Sequence, residues 1–92
     1  MVLGIHVIAC SEGMHLGKTL GMDPTLLGEV FTASSGVSWH SKNQNPVPGV
    51  HSNSPASNNY DGGFQSQLLL KDMNLALEAA SQVGIDLSLI HI

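Results

Sequence analysis

Lys71 and Asp72 interrupt an otherwise apolar run, Leu68-Leu69-Leu70-Lys71-Asp72-Met73. Lys71 is the only basic residue other than histidine after Lys42. Two readings fit it. It can lay its stem along apolar neighbours with the ammonium in water, or it can stand in the wall of a cleft. On a helix Asp72 would point about 100° away and be a poor partner, whereas Asn74 and Glu78 share the Lys71 face better. Trp39 and Tyr60 are the only large amphipathic aromatics, and either anchor a loop or line a pocket. The histidines are His6, His15, His40, His51 and His91, and none pairs at metal-ligand spacing on one helix; they read as surface or hydrogen-bonded histidines. Ser34-Ser35-Gly36 lacks the flanks of a nucleophile elbow. Neither a G-x-G-x-x-G nor a G-x-x-x-x-G-K-[ST] is present, so the sequence carries no phosphate cradle of its own. The single Cys10 excludes an internal disulfide and a cysteine-based zinc site.

The elements that must position these residues are helical. Val2 to about Leu20 reads as a helix with Leu3, Val7 and Met14 on an apolar stripe. Gly13, Gly17 and Gly21 recur every fourth residue and make a smooth face for close approach of another helix. An interior glycine costs about 1 kcal/mol relative to alanine, and close packing is a reason to keep it. Gly21 is also well placed as a C-cap. Asp23-Pro24 starts a second helix, a capping carboxylate followed by proline at the first helical position. That helix carries Leu26, Leu27, Val30 and Phe31 and ends near Ser34-Ser35-Gly36; with leucine at position 26 there is no capping box.

From Gly36 to Gly63 no period is sustained. A structureless loop of that length is unusual in a small domain and signals function or disorder. Trp39, Val47, Val50 and Tyr60 favour an ordered loop that packs. Asp61-Gly62-Gly63 then turns into a helix from Phe64 to about Val83, with Leu68, Leu75 and Ala79 on one face and Gly84 as its C-cap. Alternating runs are too few for a sheet. The fold class is all-α: three helices with a long ordered loop between the second and third.

Ninety-two residues make one small domain at most, marginal unless partners help. Three lysines and no arginine against seven acidic residues give a formal charge of −4. That balance argues against nucleic acid and against an anionic membrane surface as partners. Met1 to Ala9 is apolar apart from His6, but it has no preceding Lys or Arg and continues as an amphipathic helix, unlike a signal peptide. No apolar run approaches the length of a membrane span.

Four stretches then stand in a telling order. Glu12, Met14, Leu16-Gly17, Leu20-Gly21 and Asp23-Pro24 come first, followed by Ser34-Ser35-Gly36 through Trp39. Asn45-Pro46-Val47-Pro48-Gly49-Val50 follows, and Phe64 with Leu68 to Lys71-Asp72 closes the set. Each is weak alone; together, at these spacings and over Met1 to Leu87, they resemble the helical domain of the 3-hydroxyisobutyrate dehydrogenases, members of the β-hydroxyacid dehydrogenase family. The resemblance implies part of the C-terminal helical domain of a 6-phosphogluconate-dehydrogenase-like enzyme in residues 1–87, with 88–92 a non-homologous tail. In that family a Rossmann domain binds NAD, and the catalytic lysine lies in a Lys-x-x-Asn-Asn motif that would fall before Met1. The expectation is thus a fragment without a catalytic residue, itself inactive.

By the same resemblance Lys71 contacts the cofactor and Asp72 is the adjoining acid. Trp39, Tyr60 and Phe64 form the apolar side of a closed cleft that excludes water during hydride transfer. The implied intact enzyme is a mitochondrial homo-oligomer that takes a small hydroxy acid, 3-hydroxyisobutyrate, to methylmalonate semialdehyde with NAD in valine breakdown. The choice of NAD or NADP rests on a residue of the dinucleotide domain. A different reading, motivated by the Gly13-Gly17-Gly21 face and the helix from Phe64, is a non-catalytic helical packing or dimerisation module.

Overall fold

The computed structural model describes residues 1–90, and its helices are built around two glycines. Helix α1 spans Val2–Thr19 and α2 spans Pro24–Ala33. They lie against each other where α1 has no side chains: a Cβ on Gly17 would overlap Leu27. One on Gly13 would stand 3.0 Å from Phe31 Cζ. The smooth face read from the sequence is therefore filled within the chain, by α2. Gly21 takes no part in that contact. Its φ of +91° lets α1 end, with Gly21 N–H donating to Lys18 O (3.0 Å) and Met22 N–H to Gly17 O (3.0 Å). Asp23 then caps α2 by accepting from Thr25 N–H, and Pro24 opens it.

The core is small. Cys10, Met14 and Leu27 are buried, with Phe31, Val47 and Val50 packed against them. Leu26 and Val30, on the other side of α2, are exposed. The two loop valines belong to the core, so the segment between the second and third long helices is ordered, as its apolar residues indicate. It is not structureless. Helix α3, Trp39–Asn43, and a 3-10 turn, Pro55–Asn58, sit within it.

Side chains satisfy the polar backbone of this segment, which is why it can dispense with regular structure. Ser38 and Ser41 form a reciprocal cap: Ser41 N–H donates to Ser38 Oγ (3.1 Å) and Ser38 N–H to Ser41 Oγ (2.9 Å). Fully buried Asn45 accepts from Val47 N–H (3.1 Å). Ser54 and Ser57 both donate to His51 O. The sequence shows no such signature at α2, and the capping box stands instead at α3.

Helix α4, Ser66–Val83, ends at Gly84 (φ +73°) with Ile85 N–H donating to Ala80 O, repeating the α1 ending. Its inner stripe is Leu69, Met73, Ala76, Leu77 and Ala80. The stripe read from the sequence, Leu68, Leu75 and Ala79, is the outer one, and Leu68 and Leu75 are 43% and 53% exposed. Helix α4 is apolar on two sides, so periodicity alone leaves its orientation open. Gly4 marks the contact: the Met73 side chain lies where a Cβ at position 4 would stand, so Met73 faces α1 and the stripe it belongs to turns inward.

Residues Ser88–Ile90 form a further 3-10 turn. His91, one of the five histidines, lies outside the described residues. The radius of gyration is 14.6 Å and the longest dimension 44 Å. A closely packed domain of this length would have a radius of about 12 Å. The excess reflects an α4 that touches the α1–α2 core along one side only. Among the described residues there is no strand, and no helix is long and apolar enough to cross a membrane.

Gly17→Val should destabilise the chain by about 1–3 kcal/mol through overpacking against Leu27. Val on the exposed face at Leu16 should cost under about 1 kcal/mol. Urea unfolding of the two variants checks the contrast.

Candidate functional site

A cleft of about 380 Å³ opens between the start of α1, the loop and the start of α4. Trp39 enters it from the first position of α3, placed there by the Ser38–Ser41 cap. Tyr60 enters from the turn after Pro55–Asn58, and Phe64 from the approach to α4. Leu3, Val7 and Leu69 complete its apolar walls.

The three aromatics singled out in the sequence thus meet in one place. They are not the anchors of the loop. Trp39 is 60%, Tyr60 63% and Phe64 50% exposed, and Val47 and Val50 hold the loop to the core. Tyr60 touches the loop through its hydroxyl, which donates to Pro46 O (3.1 Å).

Backbone geometry aims this rim. Asn59 and Tyr60 have φ of +56° and +61°, a left-handed conformation that costs about 1–2 kcal/mol in residues other than glycine. Tyr60 N–H donates to Pro55 O at 2.7 Å, and this bond holds the turn.

Lys71 and Asp72 stand elsewhere. Leu69 faces the cleft, and Lys71 lies about 200° further round α4, on the outer side. There Lys71 Nζ pairs with Asp72 Oδ1 at 3.3 Å. This corrects the expectation that adjacent residues make poor partners: the lysine stem is long enough to bend back over one peptide. With 61% and 42% of the two side chains exposed, the pair adds little to stability. Lys71 shares its outer face with the exposed Leu68 and Leu75, whereas half-buried Asp72 lies at the edge of the inner stripe.

His40 is the residue that sequence reasoning underrated. It follows Trp39 in α3, lines the cleft, and is only 8% exposed. Its Nε2 is buried without a hydrogen-bond partner, so it is neither a surface nor a satisfied histidine. His51, in contrast, is satisfied through Nε2 and Ser41 O (3.1 Å). Burial, and then the nearby His6, push the His40 pKa below its ordinary value. Cys10 is buried in the core and burial raises its thiol pKa, which makes it a poor nucleophile. Among the described residues no group of His, Cys, Asp and Glu could hold a metal ion.

The cleft can hold a flat apolar group between aromatic walls. It offers no cation for a phosphate, since Lys71 is on the other side of α4.

The His40 shift gives a signed prediction. Its folded pKa lies below 6.5, so the unfolded chain binds more protons between that lowered value and 6.5. This contribution to stability is complete above 6.5 and is lost as the pH falls through the folded pKa. The urea midpoint should therefore drop between about pH 8 and about pH 5, and His40→Gln should flatten the drop. Parallel curves for the two proteins would contradict it.

Comparison with known proteins gives the family. Residues 1–92 match the family described as NAD-binding of NADP-dependent 3-hydroxyisobutyrate dehydrogenase. The protein named "Probable 3-hydroxyisobutyrate dehydrogenase, mitochondrial" of Dictyostelium discoideum is 50% identical over 84 residues, 91% of this chain and 26% of that protein. The human mitochondrial 3-hydroxyisobutyrate dehydrogenase is 47% identical over 81 residues, 88% of this chain and 24% of that protein. A solved structure of Mycobacterium tuberculosis 3-hydroxyisobutyrate dehydrogenase with L-serine superposes with a TM-score of 0.94 at 36% identity, covering 98% of this chain and 31% of that one. The chain spans about a quarter of the length of these curated relatives. With a family match along its whole length and the all-helical fold that goes with it, the chain belongs to the family of the NAD-binding domain of 3-hydroxyisobutyrate dehydrogenase.

Proposed function

We propose that this chain forms one wall of the active-site cleft of a dehydrogenase that oxidises 3-hydroxyisobutyrate to methylmalonate semialdehyde, with NAD as acceptor, in valine breakdown. The observation that carries the reading is the convergence of Trp39, Tyr60 and Phe64 on one apolar cleft, in a chain whose relatives carry that enzyme's name. When bound, NAD supplies the hydride acceptor. The chain's own contribution is to exclude water with the three aromatics and to present Lys71 as a cation on the outer face of α4. Asp72 holds that ammonium within 3.3 Å until an anion competes for it.

Residues 1–87 are assigned to part of a C-terminal helical domain and 88–92 to a tail outside it. That division follows the resemblance of the motifs up to Leu87; the family match itself runs over residues 1–92. The catalytic lysine and the dinucleotide domain belong to other parts of the intact enzyme. A homo-oligomer fits the open apolar face at Leu68 and Leu75. A mitochondrial setting follows the names of the eukaryotic relatives, among them the Arabidopsis thaliana protein.

The test is a chimera in which this chain replaces the matching segment of the human relative. The chain alone should show no turnover. The chimera should oxidise 3-hydroxyisobutyrate, and Lys71→Ala in it should raise KM for NAD roughly tenfold or more, the value of one charge-assisted contact. An unchanged KM would remove Lys71 from the cofactor site.

A further inference from the structure

We propose that Asp61-Gly62 is a site of spontaneous aspartate isomerisation, a covalent modification that the fold exposes at the rim of the cleft. In this reaction the Gly62 amide nitrogen attacks the side-chain carboxyl carbon of Asp61. The amide N–H proton and the hydroxyl of the protonated carboxyl leave together as water, and a five-membered cyclic imide forms. Water then adds to the imide. When the ring opens at the main-chain carbonyl, the chain runs on through the former side-chain carbon as isoaspartate. One water is lost and one gained, so mass is unchanged and no oxidant or co-reactant is needed.

The sequence holds four aspartates, and the structure separates them. Asp23 precedes Pro24, which has no N–H to attack with. Asp72 precedes Met73 inside α4, where the amide is engaged in the helix. Asp86 precedes Leu87, whose branched side chain crowds the amide. Asp61 alone precedes a glycine.

That glycine is open in every respect that matters. Both residues are exposed, and a Cβ built on Gly62 would meet nothing within 4 Å. Gly62 N–H makes no hydrogen bond among the described residues, and the Asp61 carboxylate has neither an ion pair nor a hydrogen bond among them. Asparagine can follow the same route, and Asn53-Ser54 is the instructive contrast: Ser54 N–H is held by His51 O at 3.2 Å and Ser54 is buried.

The flanks of the peptide are fixed while the peptide is free. Tyr60 N–H is bonded to Pro55 O, and a Cβ on Gly63 would stand 2.6 Å from Pro55 Cγ. Isomerisation adds one carbon to the main chain between these anchors, on the stretch that spaces Tyr60 from Phe64. The inference stands independently of the proposed function.

The 92-residue chain is incubated at neutral pH beside a peptide of residues 57–66, and isoaspartate is measured at each aspartate by peptide mapping. Isoaspartate should appear at Asp61 at least about tenfold faster than at Asp23, Asp72 or Asp86, and within about tenfold of the peptide's rate. Asp61→Glu, which cannot close the five-membered ring, should abolish the signal. A rate at Asp61 no higher than at the other aspartates, or more than about tenfold below the peptide's, overturns the proposal by showing that the fold protects the site.

Discussion

The contact between Gly13 and Gly17 of α1 and Leu27 and Phe31 of α2 is the constraint from which the other elements take their positions. Without side chains at those two points the helices come close enough to bury Met14 completely. That leaves a shallow core surface on which Val47 and Val50 can settle. Once the valines are fixed, the loop between them and α2 has one path, and the Ser38–Ser41 cap can present Trp39 at its edge. Stability is concentrated in α1, α2 and the loop. Helix α4 depends on that body through the Gly4–Met73 crossing.

The division has a consequence for function. The cleft forms where the stable body meets α4, with aromatic rings from the loop on one side and Leu69 on the other. Its rim is the part of the chain with the least conventional backbone, Asn59 to Gly63, where four of five residues have positive φ. Strain of this kind persists only where surrounding contacts impose it, and it clusters at sites that bind or switch. Here the imposing contacts are the Pro55–Tyr60 hydrogen bond and the packing of Gly63 on Pro55.

Much of this was legible in the residues. Asp23-Pro24, Gly21 and Gly84 fixed three helix boundaries because each has a local physical reason to stop or start a helix. The spacing of Gly13 and Gly17 announced a close approach before the partner was known. The aromatic trio carried over from the family resemblance into one cleft. What was not legible depended on tertiary choice. Helix α4 offers two apolar stripes, and nothing in its own sequence says which one turns toward α1. Short α3 has no periodicity to read, and its serine cap is visible only once Ser38 is known to start a helix. His40 looked like any surface histidine because its burial is imposed by the cleft walls. Lys71 stands in the same stretch as Phe64 and two residues after Leu69, yet 200° of helix, about half a turn, separates it from the Leu69 side that faces the cleft.

The central claim is that the cleft and the outer face of α4 both turn toward the cofactor in the intact enzyme. Hydrogen exchange on the chimera with the human relative, with and without NADH, tests it most directly. The account predicts slower exchange at residues 39–46 and 60–72 when NADH is present, with residues 22–33 unchanged. Protection confined to residues 22–33, or absent from the whole chain, would contradict it.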